Sequence, residues 1–316
     1  MRIFVAGATG AVGRSLVPRL VRAGHSVTGL TRTPAKAVLV QTLGAEPVIA
    51  DALDARSIQA AVTAARPDVV VHQLTDLKGA DLRDFDGAFA TSNRLRQEGT
   101  DHLLAAARAA GVQRFVAQSY CGWPYAREGA DVKTEDDALD PTPPSNMRRT
   151  LEAIRHLERV VTTAAAPIGV VLRYGGFYGP GTGVFEATTI DQVHRRRFPL
   201  VGGGTAWWSF VHIDDAAEAT ACAIERGHGI YNVVDDDPAP VAEWLPALAT
   251  MLGAKPPLRL PAFIARLLAG EAIVTMMTQS RAGSNAKAKR ELSWQPRHPS
   301  WRQGFAAIAG DLRLAA

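Results

Sequence analysis

The chain has 316 residues, of which 47% are hydrophobic and 21% charged, the composition of an ordinary globular protein with one large domain or a core domain and a smaller one. Two cysteines, Cys121 and Cys222, exclude a disulfide framework, and no apolar run approaches the roughly 18 residues of a membrane span. The net charge of +4, with one dense basic run at 195–197, argues against a nucleic-acid partner.

MRIFVAGATG begins a strand at once, so we expect no signal peptide and a cytoplasmic location. The first 120 residues then alternate short β-branched runs with longer amphipathic stretches. The five predicted strands are brief apolar runs bounded by Gly, Pro or Asp: 2–6, 26–30, 47–50, 69–72 and 114–118. A sixth, 169–173, follows a helix that begins near Ser145. Strict alternation predicts right-handed crossovers and an α/β fold, a Rossmann-type doubly wound parallel sheet.

After residue 173 the alternation ends, and glycine, proline and aromatic residues become more frequent. Inserted and trailing segments of this kind usually form a lobe over the carboxyl edge of the sheet, where ligands bind. We therefore expect a dinucleotide-binding domain from residues 1–173 and 208–236. The substrate-binding lobe is expected from residues 174–207 and 237–316.

The turn GATGAVG lies between the first strand and the first helix, which is the position of a dinucleotide-binding loop. Gly7 permits the tight turn, Gly10 lets the backbone approach a pyrophosphate, and Gly13 lets the helix pack on the strand. The cofactor-binding residues predicted from this turn also include its neighbours Thr9, Ala11 and Val12.

The second strand ends in GLTRTPAK, where an acidic residue would bind the ribose hydroxyls of NAD. Thr31 and Arg32 stand there, with Lys36 one turn later, and a guanidinium suits the 2′-phosphate of NADP. We therefore predict NADP(H), with NAD(H) as the less favoured cofactor; the alternative is that Arg32 lies exposed at the sheet edge. Three further positions are predicted to border the adenine or the nicotinamide ribose: Asp51, Ala52 and Gln73. The alternatives are a surface turn at Asp51 and Ala52 and a cap of the next segment at Gln73.

Several ordered motifs extend from Arg2 to about Gly304: GxxGxxG, ADALD, VVVH, LRYGGFYGPG, SFVHIDDAAEA, GIYNVVDDDP and AKRELSWQP. In these motifs the chain resembles the extended short-chain dehydrogenase/reductase superfamily, which contains NAD(P)-dependent epimerases, dehydratases and reductases. The resemblance implies a Ser or Thr after the fifth strand and a Tyr-x-x-x-Lys on the next helix. The tyrosine would donate a proton to a carbonyl oxygen, and the lysine would lower the pKa of the phenol and anchor the ribose.

This chain departs from that pattern in PPSNMRRTLEA, where Met147 stands at the tyrosine position and Leu151 at the lysine position. No lysine follows four residues after any of the five tyrosines. The sequence thus resembles an atypical branch that keeps the cofactor site and lacks the dyad. Substitutes for the dyad are sought in AQSYCGWPYA, where Ser119, Tyr120 and Tyr125 are the candidate catalytic residues. Each could instead be a packed residue with a satisfied hydroxyl.

Two other candidate groups are interpreted as structural. Lys133 lies among acidic residues and is expected in a loop, and His212, Asp214 and Asp215 are expected to close the domain junction and start a helix. No metal site is predicted.

The expected substrate pocket is apolar and aromatic. Its predicted lining residues are Trp123, Tyr174, Phe177, Trp207 and Trp208, and part of the apolar stretch LPAFIARLLAGEAIVTMMTQS either faces the cleft or is ordinary core. The sequence predicts a cytoplasmic NADPH-dependent ketoreductase acting on a polycyclic or polyketide-like ketone of secondary metabolism, such as antibiotic biosynthesis. The alternatives are a redox-neutral epimerase or dehydratase, and a non-catalytic NADP-sensing binding protein.

Overall fold

A seven-stranded parallel sheet forms the centre of the molecule in the computed structural model, which describes residues 1–76 and 82–314. Its strands are β1 Arg2–Ala6, β2 Ser26–Thr31, β3 Glu46–Ile49, β4 Val69–His72, β5 Arg114–Tyr120, β6 Ile168–Tyr174 and β7 Gly229–Val233. They lie in the order β7-β6-β5-β4-β1-β2-β3, with every neighbouring pair parallel. The predicted Rossmann-type fold is confirmed.

Helices cover both faces of this sheet. The α-helices of the described residues are α1 Ala11–Arg22, α2 Pro34–Thr42, α3 Ala55–Ala65, α4 Phe85–Ala88, α5 Ala90–Arg94, α6 Thr100–Ala109, α7 Arg148–Thr162, α8 Ala187–His194, α9 Ile213–Glu225, α10 Val241–Met251, α11 Ala262–Thr278, α12 Ala286–Leu292 and α13 Trp301–Leu314. One face packs against α1, α9 and α12, and the other against α3, α6 and α7. Val5, Val70 and Val71 are fully buried, as expected for strands covered on both sides.

A separate apolar core lies under α10, α11 and α13. The described residues also form nine short strands in small separate sheets: Val132–Lys133, Gly176–Gly179, Thr182–Gly183, Leu200–Val201, Trp207–Trp208, Phe210–His212, Ala239–Pro240, Arg259–Leu260 and Ala282–Gly283. Phe210 belongs to this second core, whereas Trp294 packs into the sheet's core, so the two parts exchange residues across the expected boundaries. The assignment of the two ranges to a cofactor domain and a substrate lobe stays a prediction.

Helix α11 bends at Gly270, whose φ of 85° lies in the left-handed region that glycine tolerates. The first half leaves Phe263, Leu267 and Leu268 exposed, whereas the second half buries Val274 and Met277. Within the described residues, no helix is both long and apolar enough to cross a membrane.

Candidate active site

The turn between β1 and α1 is the predicted pyrophosphate site. Gly7 has φ 101°, and a Cβ there would lie 2.7 Å from the carbonyl oxygen of Gln73. A Cβ on Gly13 would lie 2.2 Å from the Gly7 carbonyl oxygen, so only glycine lets α1 pack this closely. No side chain caps α1 and its first turn holds no acidic residue, which leaves the positive end of the helix dipole for an anion. These residues fit the phosphates of a dinucleotide.

Gln73 closes the floor of this turn. Its backbone N–H donates to the carbonyl oxygen of Ala6 at 2.7 Å, and its side-chain amide donates to the Tyr174 hydroxyl at 3.1 Å. The side chain is 5% exposed, and its Oε1 atom has no hydrogen-bond partner among the described residues. A buried acceptor without a donor is uncommon, and a ribose hydroxyl would satisfy it.

The end of β2 carries the predicted determinants of cofactor choice. Thr31 is buried, whereas Arg32 and Lys36 are exposed, and neither cation is paired with a carboxylate in the described parts of the chain. Beyond β3, Asp51 is exposed and accepts the backbone N–H of Leu53.

Ala52 is buried beside it, and its carbonyl oxygen lies 3.0 Å from the His102 ring. The positions predicted to meet the adenosine half thus lie at the carboxyl ends of adjacent strands.

The positions of the missing dyad are filled by apolar packing. Met147 and Leu151, at the start of α7, are both 0% exposed and belong to a cluster with Phe85 of α4 and Trp123. Phe85 and Trp123 meet edge to face, with ring centroids 5.4 Å apart. Neither Met147 nor Leu151 has a side-chain group that can give or take a proton.

Two of the three predicted catalytic residues lie in a buried hydrogen-bonded network. The Ser119 hydroxyl donates to Glu158 Oε1 at 2.7 Å, and Glu158 forms a two-point ion pair with Arg173 at 2.8 and 2.6 Å. The Tyr125 hydroxyl donates to Asn232 Oδ1 and accepts from Arg173, and burial raises the pKa of Tyr125 well above its usual range. Both hydroxyls are therefore fully engaged in structural bonds.

Tyr120 differs from them, because its hydroxyl makes no hydrogen bond to any described residue. It lies at the end of β5 against a small cavity of about 10 Å³, lined by Tyr120, Cys121, Gly122, Trp123, Trp207, Trp208, Ser209, Met276 and Ser280. The Trp208 indole donates to the Met276 carbonyl oxygen at 2.8 Å. Burial raises the pKa of Tyr120 well above its usual range and that of Cys121 to about 12, so both groups are neutral at pH 7.

The structure brings only part of the predicted pocket together. Trp123, Trp207 and Trp208 reach the cavity, but Tyr174 is buried in the core against α9, where its hydroxyl bonds Thr220 and Gln73. Phe177 packs beside Tyr174, with ring centroids 5.4 Å apart. Both residues lie away from the cavity, although Tyr174 pairs in register with Tyr120 of β5.

The groups interpreted as structural are all engaged. Lys133 donates to the Glu128 carbonyl oxygen and contacts Asp137. His212 accepts the backbone N–H of Asp214 at the start of α9. Asp215 accepts the backbone N–H groups of Arg297 and His298 and pairs with the His298 ring, which stacks on His212 at 3.8 Å.

His212, Asp215 and His298 lie close enough to be considered as metal ligands. Both oxygens of Asp215 accept hydrogen bonds from backbone N–H groups, and His298 Nδ1 lies 3.0 Å from one of them. The hydrogen bonds of this cluster connect α9 to the C-terminal segment.

The sequence did not single out Ser209 or Ser280, which line the cavity, nor Glu158 and Arg173, which hold Ser119. No local signal identifies them, because each is brought to the site by distant contacts. Met276 lay in the apolar stretch interpreted as core or cleft, and it faces the cavity.

Residues 3–233 match the model of the NAD dependent epimerase/dehydratase family. The chain belongs to this family. A curated member from Streptomyces sp, the 3-diazoavenalumate denitrifying reductase, is 45% identical over 96% of this chain and 99% of its own. A Stigmatella aurantiaca member, the 4-hydroxy-2-methyl-3-oxo-4-farnesyl-3,4-dihydroquinoline-1-oxide ketoreductase, is 31% identical over 81% of this chain and 74% of its own. The epimerase/dehydratase family and its named reductases make this chain an NAD(P)-dependent enzyme of the oxidoreductase type.

Solved family structures share the fold. UDP-glucose 4-epimerase from Thermotoga maritima superposes with a TM-score of 0.77 at 21% identity, covering 100% of this chain and 99% of its own. The human epimerase family protein SDR39U1, solved with NADPH, gives a TM-score of 0.77 at 20% identity, covering 98% and 100%. Family structures therefore include both NAD and NADPH complexes.

Proposed function

We propose that this enzyme is an NADPH-dependent reductase that transfers a hydride to an apolar aromatic small molecule without a Tyr-Lys proton donor. The observation that carries the proposal is the complete burial of Met147 and Leu151 in an apolar cluster at the dyad positions. A substrate whose reduction creates an alkoxide would gain nothing from these side chains. A substrate that needs no proton from the enzyme fits them.

An aromatic diazonium carboxylate is such a substrate, and the 45% identical relative is named for the reductive removal of nitrogen from a diazo carboxylate. NADPH, when bound, would supply a hydride. The hydride would add to the terminal nitrogen of Ar–N⁺≡N, which gives neutral Ar–N=N–H. This species loses N₂ as the C–N bond breaks, and its N–H hydrogen ends on the ring as Ar–H. The positive charge of the substrate is cancelled, and no oxyanion forms.

The cavity residues suit a cationic aromatic group. Tyr120, Trp123 and Trp208 line the cavity, and the face of an aromatic ring attracts a cation where water is excluded. No carboxylate, lysine or histidine is among the described residues lining the cavity. A volume of about 10 Å³ is too small for an aromatic ring, so binding requires the partly exposed Trp207 and its neighbours to move.

Reduction of a bulky ketone is the second candidate. It is favoured by the unbonded hydroxyl of Tyr120 at the cavity and by two relatives named as a ketoreductase and as 2-alkyl-3-oxoalkanoate reductase. A protonated phenol there would donate a hydrogen bond to the developing alkoxide. Redox-neutral epimerisation or dehydration has less support, because it needs a base and the described cavity lining offers none.

The test supplies purified protein with NADPH and either a diazo-substituted hydroxycinnamate or the matching aryl methyl ketone. NADPH carrying deuterium on one face of C4 is used in one arm and on the other face in a second arm. We expect oxidation with the diazo compound, one N₂ per NADPH, and deuterium in the arene from one face alone. Protein-free reduction would draw on both faces, which makes it the matched control.

Oxidation with the ketone alone, lost in Tyr120→Phe, would establish the second candidate instead. Tight NADPH binding without turnover of either compound would overturn both and favour an NADP-sensing protein.

A further inference from the structure

Arg96 is a buried cation near the candidate active site, and the family resemblance gives it no role. It lies on a π-helical turn, Leu95–Gly99, between α5 and α6, and its side chain is 9% exposed. The guanidinium donates to Asn93 Oδ1 at 3.3 Å, and no carboxylate of the described chain pairs with it. A single π-helical turn is rare in proteins, and many of those that occur lie at functional sites.

The charges around Arg96 leave it uncompensated. Glu158 contributes an attraction to Arg96, but its two oxygens already bind Arg173 and Ser119. His72, at the carboxyl end of β4, is neutral at pH 7 because burial and the charge of Arg96 lower its pKa to about 4. Burial lowers the pKa of Arg96 to about 10, which still leaves it charged. One buried positive charge is therefore surplus, and such a group is costly unless a ligand satisfies its donors.

Two hydrogen bonds connect Arg96 to the residue that precedes the position of the dyad lysine. Asn93, which accepts from Arg96, donates through Nδ2 to the Thr150 hydroxyl at 2.9 Å. Thr150 immediately precedes Leu151, the residue at the position of the dyad lysine. Arg96 thus faces the first turn of α7 from one side while its charge reaches His72 at the end of β4.

We propose that Arg96 binds the hydroxyls of the nicotinamide ribose, a role that the resemblance gives to a lysine on α7. The cation has moved from α7 to the π-turn, and the ribose keeps a charged donor although Leu151 offers none. The wide turn points Arg96 inward between Leu95 and Gly99, which are also buried. This inference rests on the dinucleotide binding of the proposed function.

The test measures the dissociation constants of NADPH and of adenosine 2′,5′-bisphosphate by titration calorimetry. The second compound shares the adenosine end and lacks the nicotinamide ribose. In Arg96→Met we expect the dissociation constant of NADPH to rise about 10- to 100-fold. This is the effect expected from the loss of one or two charge-assisted hydrogen bonds. Adenosine bisphosphate should bind as before, and Arg96→Lys should recover part of the loss. Arg94→Met, two residues earlier and exposed, is the matched control.

Three results would overturn the assignment: unchanged NADPH binding in Arg96→Met, equal weakening of both ligands, or a raised substrate KM with unchanged NADPH affinity. The second would mean a folding role and the third a substrate role. If the unmodified protein binds neither NADPH nor NADH, the proposed function fails together with this inference. Normal binding by the unmodified protein with no effect of Arg96→Met rejects the Arg96 role alone.

Discussion

Arg32 is the side chain expected to choose between the two dinucleotides, because it is exposed at the end of β2 with no carboxylate partner in the described chain. We expect Arg32→Ala to weaken NADPH binding about 10-fold, the lower end for a charged hydrogen bond because solvent screens the site. NADH binding should be unchanged, since NADH lacks the 2′-phosphate. Titration of both cofactors measures this.

Arg226→Ala removes an exposed arginine at the far end of α9 and is the control for net charge. Equal weakening of NADH and NADPH in Arg32→Ala would contradict a role for Arg32 in choosing the cofactor.

Single positions show where prediction from the sequence stops. The cofactor turn can be predicted from the sequence because Gly7, Gly10 and Gly13 recur every three residues between β1 and α1, and it stays a prediction. The hydrogen bond of Ser119 cannot be predicted from the sequence, because its acceptor lies 39 residues away. The same holds for Tyr125, whose hydroxyl bonds Asn232, 107 residues away. A hydroxyl with no evident partner nearby in the sequence can form a hydrogen bond with a distant residue that the fold brings to it.

Helix α7 begins under a cap supplied by another element. Asp86 of α4 accepts the backbone N–H groups of Arg149 and Thr150 and the Thr150 hydroxyl at 2.7 to 2.9 Å. A carboxylate here satisfies free N–H groups and the positive end of the helix dipole. It also ties α4 to α7, so that Phe85 packs with Met147 and Leu151.

We therefore expect Asp86→Ala to lower the free energy of unfolding by about 1 to 2 kcal/mol, the usual cost of a lost cap. Urea titration followed by circular dichroism measures the change. Asp191→Ala on α8 removes an exposed carboxylate with a surface ion pair to Arg195 and should change the free energy by less than about 0.5 kcal/mol. Equal effects of the two substitutions would show that the cap contributes nothing special.

Strands and helices were predicted where periodicity is local. The six predicted strands all occur within one or two residues of their expected bounds. Strand β7 was not predicted as a strand, because GIYNV has little alternation and gains its place by pairing with β6. The apolar stretch of α11 was ambiguous because Gly270 splits it, and each half has its own environment.

The sheet and the C-terminal core are held together at the end of β7. Asp235 follows this strand, donates its backbone N–H to the Phe210 carbonyl oxygen, and lies near Tyr178 of the second core. Its Oδ2 atom is buried without a partner in the described residues. Burial raises the pKa of Asp235 to about 8, so the group is a neutral acid at this junction.

The stability of the whole molecule should depend on this proton. Asp235 is protonated in the folded chain below about pH 8, whereas in the unfolded chain it ionises above its ordinary value of 3.8. Between these pH values unfolding releases a proton from Asp235. The contribution of protonated Asp235 to the free energy of unfolding is therefore complete below pH 3.8 and is lost as the pH rises through 8. Asp235→Asn cannot titrate, and subtracting the unmodified protein cancels the other groups. We expect the free energy of unfolding of Asp235→Asn, minus that of the unmodified protein, to increase by about 1.4 kcal/mol per pH unit between pH 5 and 7. Urea titrations of both proteins at several pH values measure the difference, and a constant difference would show that Asp235 is ionised at the junction.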